Sequence, residues 1–419
     1  MVATLPKRAA VAPRPARRRL AARQRRALIS TLRRARELPG YAGSFDAIGK
    51  EVNDPYVTLQ RLPVLERSSV QADPEAFCDP RAPGLPLTSS GSTGTPLELR
   101  LDPRARRGRR RRFAGFFLGG GWRPWHRSLS FKVIPDDSSR LGSDLLDRTI
   151  LRRRRTVSVL EPIDRQFEAL RRHDPQVLHG LPSVFEQLAL RAEAECWRPS
   201  DLRCIFTCSE ALTPATRELI ERAFGVPVGD CYAAAEALIG WECESRRGIH
   251  VLEDRVVLEV LDELGRTVAP GAVGRVVITT LDNPSMPLIR YAIGDMAVAP
   301  SGERCACGRP ELLLPRVLGR QVPYFDVGGA KLSPWGVIAR MHELAAVGQF
   351  QLMQTAPDQI LVLIRPRPGA GPVDRRVLQR LLAEELGPTV AVELREVAEI
   401  DALASGKQAP ALVDASARR

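Results

Sequence analysis

Residues 203–232 read RCIFTCSEALTPATRELIERAFGVPVGDCY, and this stretch decides the fold. Its first six residues form a short apolar run that is typical of a buried strand. A helix is predicted over Thr213–Phe224, because a threonine can cap its first turn, a proline follows at the first helical position and Gly225 comes just past its end. Val226–Tyr232 has strand character again. Strand, helix and strand in this order form a βαβ unit, which implies a mostly parallel sheet with helices on both faces.

The segments on either side extend this α/β pattern. A basic amphipathic helix is predicted over Ala16–Leu38, which contains neither proline nor glycine. Two valine-rich strands, Arg255–Leu261 and Gly274–Leu281, flank a turn-rich segment and predict a β-rich subdomain. We therefore assign residues 1–319 to a large N-terminal α/β portion with several subdomains.

The pattern changes to a short α+β unit after Gly319-Arg320, so residues 320–419 are predicted to form a small, mobile C-terminal domain. Its predicted helices are Pro334–Leu344 and Asp374–Leu386, and its predicted strands are Gln359–Ile364 and Val390–Leu394.

Composition excludes several classes of protein. The chain has 419 residues, 44% of them hydrophobic and 26% charged, which is typical of globular proteins and not of disordered ones. No apolar run approaches the ~20 residues that a membrane-spanning helix needs. Eight cysteines are too few for a disulfide scaffold of this length, and we find no export signal, so we expect a cytoplasmic protein.

Arginine dominates the net charge of +13 and is concentrated in two runs, 104–112 and 152–155. Such runs can bind nucleic acid, a phosphorylated cofactor or an acidic protein, or can simply form a solvated helical face. No zinc-finger, helix-turn-helix or RNP-type pattern accompanies either run, so nucleic acid is not favoured. The role of the two runs stays open.

The most informative short segment is Thr88–Pro96, which reads TSSGSTGTP. Its two glycines allow the backbone to approach a ligand closely, and its hydroxyl groups add donors that suit a triphosphate. It is not a Walker A loop, because Leu97 follows and no Gly-Lys-Ser/Thr is present. Taken alone, such a run can also be a flexible turn.

This segment resembles the phosphate-binding loop of the adenylate-forming acyl-CoA synthetase superfamily. Further segments resemble that family's motifs in the family's order: Tyr232-Ala-Ala-Ala-Glu236, Arg290-Tyr-Ala-Ile-Gly-Asp295, Gly319-Arg320 and Ser405-Gly-Lys407. Three more segments resemble those of one branch of the family, the phenylacetate–CoA ligases: Trp241-Glu-Cys243, Gly248-Ile-His250 and Cys305-Ala-Cys-Gly308.

The resemblance implies roles for individual residues. The β and γ phosphates of ATP would be held by the loop residues Thr88, Ser89, Ser90, Gly91, Ser92, Thr93 and Gly94. Tyr232 would lie against the adenine, Asp295 would bind the ribose hydroxyls, and Arg320 would reach the ribose or a phosphate. Glu236 would hold Mg²⁺, and Lys407 would bring positive charge to the carboxylate and the α-phosphate. Glu236 and Lys407 are thus the implied catalytic residues.

The resemblance also implies an acyl pocket, formed around His179, Ser183, Ser209 and Ala233. Ala233 stands where the family usually has glycine, which adds a methyl group near this pocket. Val322 stands where the family has a hinge aspartate, and this departure bears on the second, thioester-forming step rather than on adenylation.

Cys243, His250, Cys305 and Cys307 offer three thiols and one imidazole, the ligand set of a closed tetrahedral zinc site. Their spacing is not that of a standard zinc finger. A structural zinc ion is the favoured interpretation, since some relatives on this branch carry one here. Reduced core cysteines beside an unrelated histidine are the alternative.

We therefore predict ATP-dependent activation of a carboxylic acid, an aromatic one being favoured, to an acyl-adenylate, followed by transfer to CoA. One alternative keeps the adenylation but transfers the acyl group to an acidic carrier protein, an amine or another nucleophile of a biosynthetic pathway. A second alternative is a non-catalytic nucleotide- or nucleic-acid-binding protein. The implied cofactors are ATP, Mg²⁺, Zn²⁺ and CoA. No membrane partner is expected, and the oligomeric state, a homodimer included, is left open.

Overall fold

A computed structural model describes most of the chain. The described residues are 14–49, 54–88, 97–132, 153–327, 330–332, 334–342, 344, 346–367, 371–387, 390–400 and 411–414. They fall into two compact units. Unit 1 takes its residues from Met1–His126, Arg203–Ala211 and Val228–Gly319, and unit 2 takes its residues from Arg127–Leu202, Leu212–Pro227 and Arg320–Arg419.

Unit 1 contains five of the described helices and eleven of the described strands. The helices are α1 (Arg14–Arg36), α2 (Pro39–Ile48), α3 (Pro55–Arg61), α4 (Arg67–Ala72) and α5 (Pro103–Gly119). The strands are β1 (Leu85–Thr88), β2 (Glu98–Leu101), β6 (Cys204–Cys208), β7 (Val228–Ala233), β8 (Leu238–Glu242), β9 (Ile249–Val251), β10 (Val256–Leu261), β11 (Val273–Thr280), β12 (Tyr291–Val298), β13 (Leu313–Leu314) and β14 (Arg316–Arg320).

Three groups of strands pair within unit 1. β6 and β7 are parallel, and β8, β9 and β13 continue from β7 as antiparallel neighbours in the order β6-β7-β8-β9-β13. A separate sheet has the order β10-β11-β12-β14, and β1 and β2 form an antiparallel pair. The two strands of the predicted βαβ unit are thus parallel as expected, and antiparallel strands continue the sheet beyond β7.

The core of unit 1 joins the first helices to both larger sheets. Leu28 and Ala35 of α1 are fully buried and belong to the same apolar cluster as Ile239 of β8 and Tyr291 of β12. Helix α1 also agrees with its predicted amphipathic character, since its arginines are mostly exposed while Leu28 and Leu32 face the core. Burial of this continuous apolar surface positions the ends of β7 and β12, where the candidate site lies.

Unit 2 contains the remaining described elements. Its helices are α6 (Ile163–His173), α7 (Pro182–Ala194), α8 (Pro214–Phe224), α9 (Trp335–Met341) and α10 (Arg375–Leu386). Its strands are β3 (Ser128–Lys132), β4 (Arg154–Ser158), β5 (Val177–Gly180), β15 (Phe325–Val327), β16 (Ala330–Leu332), β17 (Val347–Ala356), β18 (Gln359–Pro366), β19 (Ala391–Glu396) and β20 (Ala411–Val413).

Two sheets and a hairpin organise unit 2. β3 pairs in parallel with both β4 and β5. The strands after Arg320 form a sheet in the order β19-β18-β17-β20, in which β17 and β18 are antiparallel and both outer strands are parallel to their neighbours. β15 and β16 form an antiparallel pair.

The βαβ unit predicted around Thr213 is confirmed. Thr213 caps α8 by accepting a hydrogen bond from the backbone N–H of Thr216 at 3.0 Å, and Gly225 ends the helix with a positive φ of 72°. The predicted helices and strands of the last hundred residues are also found, but the ten-residue strand β17 was not predicted. The sequence boundary at Gly319-Arg320 coincides with a limit of the compact units, whereas the division of residues 1–319 between two units was not foreseen.

None of the helices in the described ranges is long and apolar enough to cross a membrane.

Candidate active site

Tyr232 and Asp295 meet inside unit 1. Tyr232 lies near the end of β7 and Asp295 lies in β12, and both are nearly buried, with 8% and 9% of their surface exposed. The Tyr232 hydroxyl donates a hydrogen bond of 2.7 Å to Oδ2 of Asp295. The structure thus brings together the two residues to which the resemblance assigns the adenine and the ribose.

The carboxylate of Glu236 is held by one oxygen. Its Oε1 accepts a hydrogen bond of 3.2 Å from the Tyr291 hydroxyl and lies 3.5 Å from Nη1 of Arg67. Within the described residues Oε2 has no partner, although only 6% of the residue is exposed. Burial and the nearby Glu236 charge raise the pKa of Tyr291, so this phenol stays protonated as a donor. The arrangement leaves a fixed carboxylate oxygen that suits a hard cation such as Mg²⁺.

The backbone around Glu236 is fixed by Arg109 of α5. Its guanidinium donates a hydrogen bond of 2.8 Å to the carbonyl of Ala235 and a second hydrogen bond to the carbonyl of Glu236. Burial lowers the pKa of Arg109, and the charges of Asp282 and Glu236 oppose that effect. Because both carbonyls belong to the turn that carries Glu236, α5 positions this carboxylate through its backbone.

The pocket candidates of unit 1 lie at the ends of β6 and β7. Ser209 directly follows β6, is exposed and has a positive φ of 70°, a left-handed conformation that costs energy for a residue other than glycine. Ala233 is half-buried at a register shift between β7 and β8. Between the two strands the Thr207 hydroxyl donates a hydrogen bond of 2.7 Å to Asp230. Strained backbone and buried polar groups of this kind are typical of ligand sites.

The remaining described candidates belong to unit 2 or lie at its edge. His179 is in β5, and burial together with the charge of Lys132 lowers the pKa of His179 to about 4. Its imidazole is therefore neutral at neutral pH. Ser183 lies in the first turn of α7 and is half-buried, and Arg320 is exposed at the end of β14.

Several predicted site residues lie outside the described residues. Among the loop residues only Thr88 is described, exposed at the end of β1 and paired in register with Glu98. The others that fall outside are Ser89, Ser90, Gly91, Ser92, Thr93, Gly94 and Lys407. Their assigned roles stay predictions.

The four predicted zinc ligands converge. One ligand atom from each of Cys243, His250, Cys305 and Cys307 lies within 4.8 Å of all the others. The sulfurs of Cys243 and Cys305 are 3.5 Å apart, and Nε2 of His250 is 3.4 Å from the sulfur of Cys307. Sulfur and nitrogen ligands around tetrahedral zinc stand at comparable separations, given Zn–S bonds of about 2.3 Å. Three thiols and one imidazole in this arrangement fit zinc.

Strand geometry produces this convergence. His250 in β9 lies opposite Trp241 of β8, so the cysteine just after β8 comes close to the imidazole. A Cβ on Gly240 would stand 2.2 Å from the His250 carbonyl, so only glycine permits this approach of the strands. At the other side Gly308 has a φ of 80° and its N–H donates a hydrogen bond to the Cys305 carbonyl, which closes a tight turn.

The polar surroundings of the cluster favour loss of a thiol proton. Burial opposes ionisation of Cys305, but hydrogen bonds from Ser245, Cys307 and Cys243 outweigh it and lower the pKa of Cys305. Burial raises the pKa of Cys307. His250 is completely buried, burial lowers its pKa, and its Nδ1 has no hydrogen-bond partner in the described part of the chain. A neutral imidazole and an acidified thiol are the forms that bind a metal.

Sequence reasoning missed three residues of the site: Arg67, Arg109 and Tyr291. Tyr291 belongs to a motif that was identified, but the role in that motif was given to Asp295. Arg109 belongs to the first arginine run, in which most of the other side chains are exposed. The regular spacing of the run carries no signal that one of its members is directed inward.

Comparison with known proteins agrees with this geometry. A family model described as AMP-binding enzyme matches residues 149–282. The phenylacetate-coenzyme A ligase of Thermus thermophilus is 31% identical over 183 residues, which are 42% of this chain and 41% of that relative. Within the matched residues the chain is thus similar to AMP-binding enzymes and to a phenylacetate-coenzyme A ligase. The Escherichia coli phenylacetate-coenzyme A ligase is 26% identical over 179 residues, which are 41% of this chain and 40% of that relative.

The match to each curated relative spans only about two fifths of that relative's length. Solved structures share the fold over a larger part of the chain. A 2-hydroxyisobutyryl-CoA ligase with a bound adenylate, in the postadenylation state, superposes with a TM-score of 0.73 over 99% of this chain and 94% of its own, at 22% identity. The amide bond synthetase McbA from Marinactinospora thermotolerans gives a TM-score of 0.52 at 19% identity, over 78% of this chain and 67% of its own.

Proposed function

We propose that this protein activates a carboxylic acid with ATP to form an acyl-adenylate and pyrophosphate, and then transfers the acyl group to coenzyme A. The observation that carries the proposal is that one compact unit holds both the buried Tyr232–Asp295 contact and the Glu236 carboxylate, whose Oε2 has no partner among the described residues. The superfamily supports adenylation. The names of the two curated relatives support an aromatic acid and CoA as acceptor.

The residues act mainly by positioning. In the first step a carboxylate oxygen of the acid attacks the α-phosphate, and pyrophosphate leaves from the opposite side. Tyr232 and Asp295 would orient the nucleoside, and the loop at residues 88–94 would hold the departing phosphates. Glu236 would hold Mg²⁺, which neutralises phosphate charge when bound. Lys407 would stabilise the negative charge that develops at the α-phosphate.

A second acceptor remains a candidate because of Val322. This residue replaces the hinge aspartate of the family, and its side chain is buried, with 6% of its surface exposed. An amide bond synthetase is among the proteins of similar fold. An amine or a carrier-protein thiol would therefore be the acceptor if the thioester-forming step proves slow.

We propose zinc for the Cys243–Cys307 cluster. Four protein ligands would close the coordination shell and leave no position for substrate, so the ion would be structural. In the described residues the cysteines are all free, and reduced thiols suit a cytoplasmic location.

The proposed function is tested by pyrophosphate release over a panel of aromatic and small aliphatic acids, without acceptor and with CoA, an amine or a carrier protein. Pyrophosphate release that depends on an acid, together with an acyl-CoA identified by mass spectrometry, is expected. Acid-dependent release with no stimulation by CoA would favour the other acceptors. No acid-dependent release with any acid would contradict the proposal and favour a non-catalytic nucleotide-binding protein.

Lys407 provides a test of the first step alone. Lys407→Ala should slow adenylate formation by roughly 10²–10³-fold, the usual effect of removing one preorganised charge or donor. Nucleotide affinity should change little. If the variant forms the adenylate at the wild-type rate, Lys407 does not act at the reacting centre.

A further inference from the structure

A polar cleft lies in unit 1 beside α1 and the beginning of α5. Its volume is about 720 Å³, within the range of small-molecule sites. Arginine provides most of the charge of its lining, with Arg33, Arg34, Arg81, Arg104 and Arg107, against the carboxylates Glu37 and Asp102. Among the described residues, none of those proposed to bind the nucleotide, the acyl group or a metal lines it.

A buried carboxylate fixes two of these arginines. The side chain of Asp79 is completely buried, and it forms an ion pair with Arg34 and accepts hydrogen bonds of 3.0 and 3.2 Å from Arg81. Burial opposes its ionisation, but the hydrogen bonds from Arg81 and Arg34 outweigh this and lower the pKa of Asp79. The carboxylate therefore stays charged and holds two guanidinium groups in place before any ligand arrives.

The other three arginines are available to a ligand. The side chains of Arg33, Arg104 and Arg107 are exposed, and among the described residues they form no ion pair or hydrogen bond. Asp102 forms no ion pair with them among the described residues, and its Oδ1 caps α5 by accepting hydrogen bonds from the backbone N–H groups of Arg104 and Ala105. The cleft consequently combines two guanidinium groups that are already ion-paired, Arg34 with Asp79 and Arg81 with Asp79 and Glu37, with three that form no ion pair among the described residues.

The lining indicates the chemical class of the ligand. Its few apolar groups are Ala82, Pro103 and Pro284, and it contains no aromatic side chain that could stack on a base. A ligand would thus be held by charge and hydrogen bonds rather than by apolar burial. Guanidinium groups bind phosphate oxygens in a bidentate manner, and several of them around one cleft match an anion with more than one phosphate group.

We propose that this cleft binds a diphosphate-bearing anion, either free pyrophosphate or two phosphate groups of a nucleotide. The proposal depends on the cleft alone and stands whether or not the proposed ligase reaction is correct.

A footprint on the unaltered protein tests the location. Phenylglyoxal modifies accessible arginines, and peptide mass spectrometry reports each site separately. Pyrophosphate should protect Arg33, Arg104 and Arg107 at least several-fold, whereas Arg19 and Arg23, which are also exposed on α1, should react as before. Equal protection at all five arginines, or protection at none, would overturn the proposal.

Affinity of a matched pair of variants tests the same point. The double variant Arg104→Gln/Arg107→Gln should bind pyrophosphate roughly tenfold more weakly, through loss of two charge-assisted contacts. The control Arg19→Gln/Arg23→Gln removes the same charge elsewhere and should bind as wild type. Both are measured by calorimetry with saturating AMP, and any pyrophosphate held by the proposed loop at residues 88–94 should bind equally in the two variants. Equal affinities in the two variants would show that net charge, rather than this cleft, binds the anion.

Competing ligands distinguish the sources. If pyrophosphate binds more tightly than adenosine 3′,5′-bisphosphate, the ligand is free pyrophosphate. If the bisphosphate binds more tightly, the ligand is a nucleotide that carries two phosphate groups. A glutamate-rich peptide or duplex DNA that occupies the cleft and resists displacement by pyrophosphate would overturn the proposal in favour of a macromolecular partner. An ion that binds only at molar sulfate or phosphate would likewise overturn it.

Discussion

At the scale of single residues, Glu236 shows how neighbouring side chains fix a buried carboxylate. The contacts from Tyr291 and Arg67 both go to Oε1, so the carboxylate cannot rotate freely, and within the described residues Oε2 has no partner. Arg109 fixes the position of Glu236 indirectly, because it donates hydrogen bonds to the backbone carbonyls of the turn and not to the carboxylate. A cation bound by Glu236 would therefore depend on an arginine that does not touch it.

This dependence predicts that Arg109→Gln raises the Mg²⁺ concentration required for half-maximal pyrophosphate release by roughly tenfold, since two charge-assisted hydrogen bonds to the turn are lost. Glu236→Gln should raise it further, because it removes the ligand charge itself. Arg110→Gln, at an exposed neighbouring position, is the control and should behave as wild type. A Mg²⁺ titration that is unchanged in Arg109→Gln would show that α5 does not position Glu236.

His179 predicts a dependence of stability on pH. Its pKa of about 4 in the folded protein lies below the ordinary value near 6.5, so the unfolded chain binds the proton more readily. The contribution of neutral His179 to the free energy of unfolding is therefore fully present above pH 6.5. It is lost as the pH falls towards 4, and the loss is at most about 3 kcal/mol. Denaturant unfolding at pH 7 and pH 4.5 should show a smaller difference for His179→Gln than for wild type. An equal difference in both proteins would mean that other groups carry the acid sensitivity.

At the scale of elements, the sequence predicted helix ends correctly where capping residues nearby in the chain determine them. The cap at Thr213, the proline after it and Gly225 define α8 without any tertiary contact. The same holds for Asp374, which caps α10 through the backbone N–H groups of Arg376 and Val377. Helices bounded by such signals were predicted nearly to the residue.

Contacts between distant segments could not be predicted in this way. Arg109 binds the turn at Glu236 across more than a hundred residues of chain, and Arg67 reaches the same residue from α4. The strand β17 was missed because its ten residues alternate only weakly between apolar and polar side chains. The cluster of Cys243, His250, Cys305 and Cys307 was predicted because these residue types are chemically distinctive, although their spacing is irregular.

The cluster of zinc ligands connects three separate elements. Cys243 follows β8, His250 lies in β9, and Cys305 and Cys307 belong to the turn before β13. Zinc bound only by the folded protein would add to its stability by mass action. Cys305→Ser should thus lower both the zinc content and the melting temperature, the latter by roughly 5 °C or more. Elemental analysis and thermal unfolding measure the two effects.

The control for this prediction is Cys196→Ser, at an exposed cysteine outside the cluster, which should change neither quantity. Wild-type protein with far less than one zinc per chain, even after refolding with added zinc, would contradict the assignment of the metal.

At the scale of the whole molecule, one of the limits between the compact units falls at Gly319-Arg320. Gly319 has a φ of 110°, which other residues rarely adopt, and a Cβ added to it would lie 3.7 Å from its nearest neighbour, the Cβ of Ala211. A methyl group would fit here, so it is the positive φ, and not a lack of space, that favours glycine at this position. Gly319-Arg320 resembles the start of the family's hinge, three residues before Val322, which stands at the position of the hinge aspartate about which the small domain is predicted to turn.

Gly319→Ala should therefore affect the two half-reactions unequally. A Cβ at this φ costs about 1–2 kcal/mol in the left-handed region, and it restricts the change of backbone angles that a hinge requires. Transfer to the acceptor should slow by roughly tenfold or more, while single-turnover adenylate formation, measured by pyrophosphate release, should change less. Gly271→Ala is the matched control, because Gly271 has a φ of 81° in an open turn and no atoms within 4 Å of an added Cβ. If both variants slow both steps equally, the backbone strain acts on stability alone, and the small domain does not turn at Gly319.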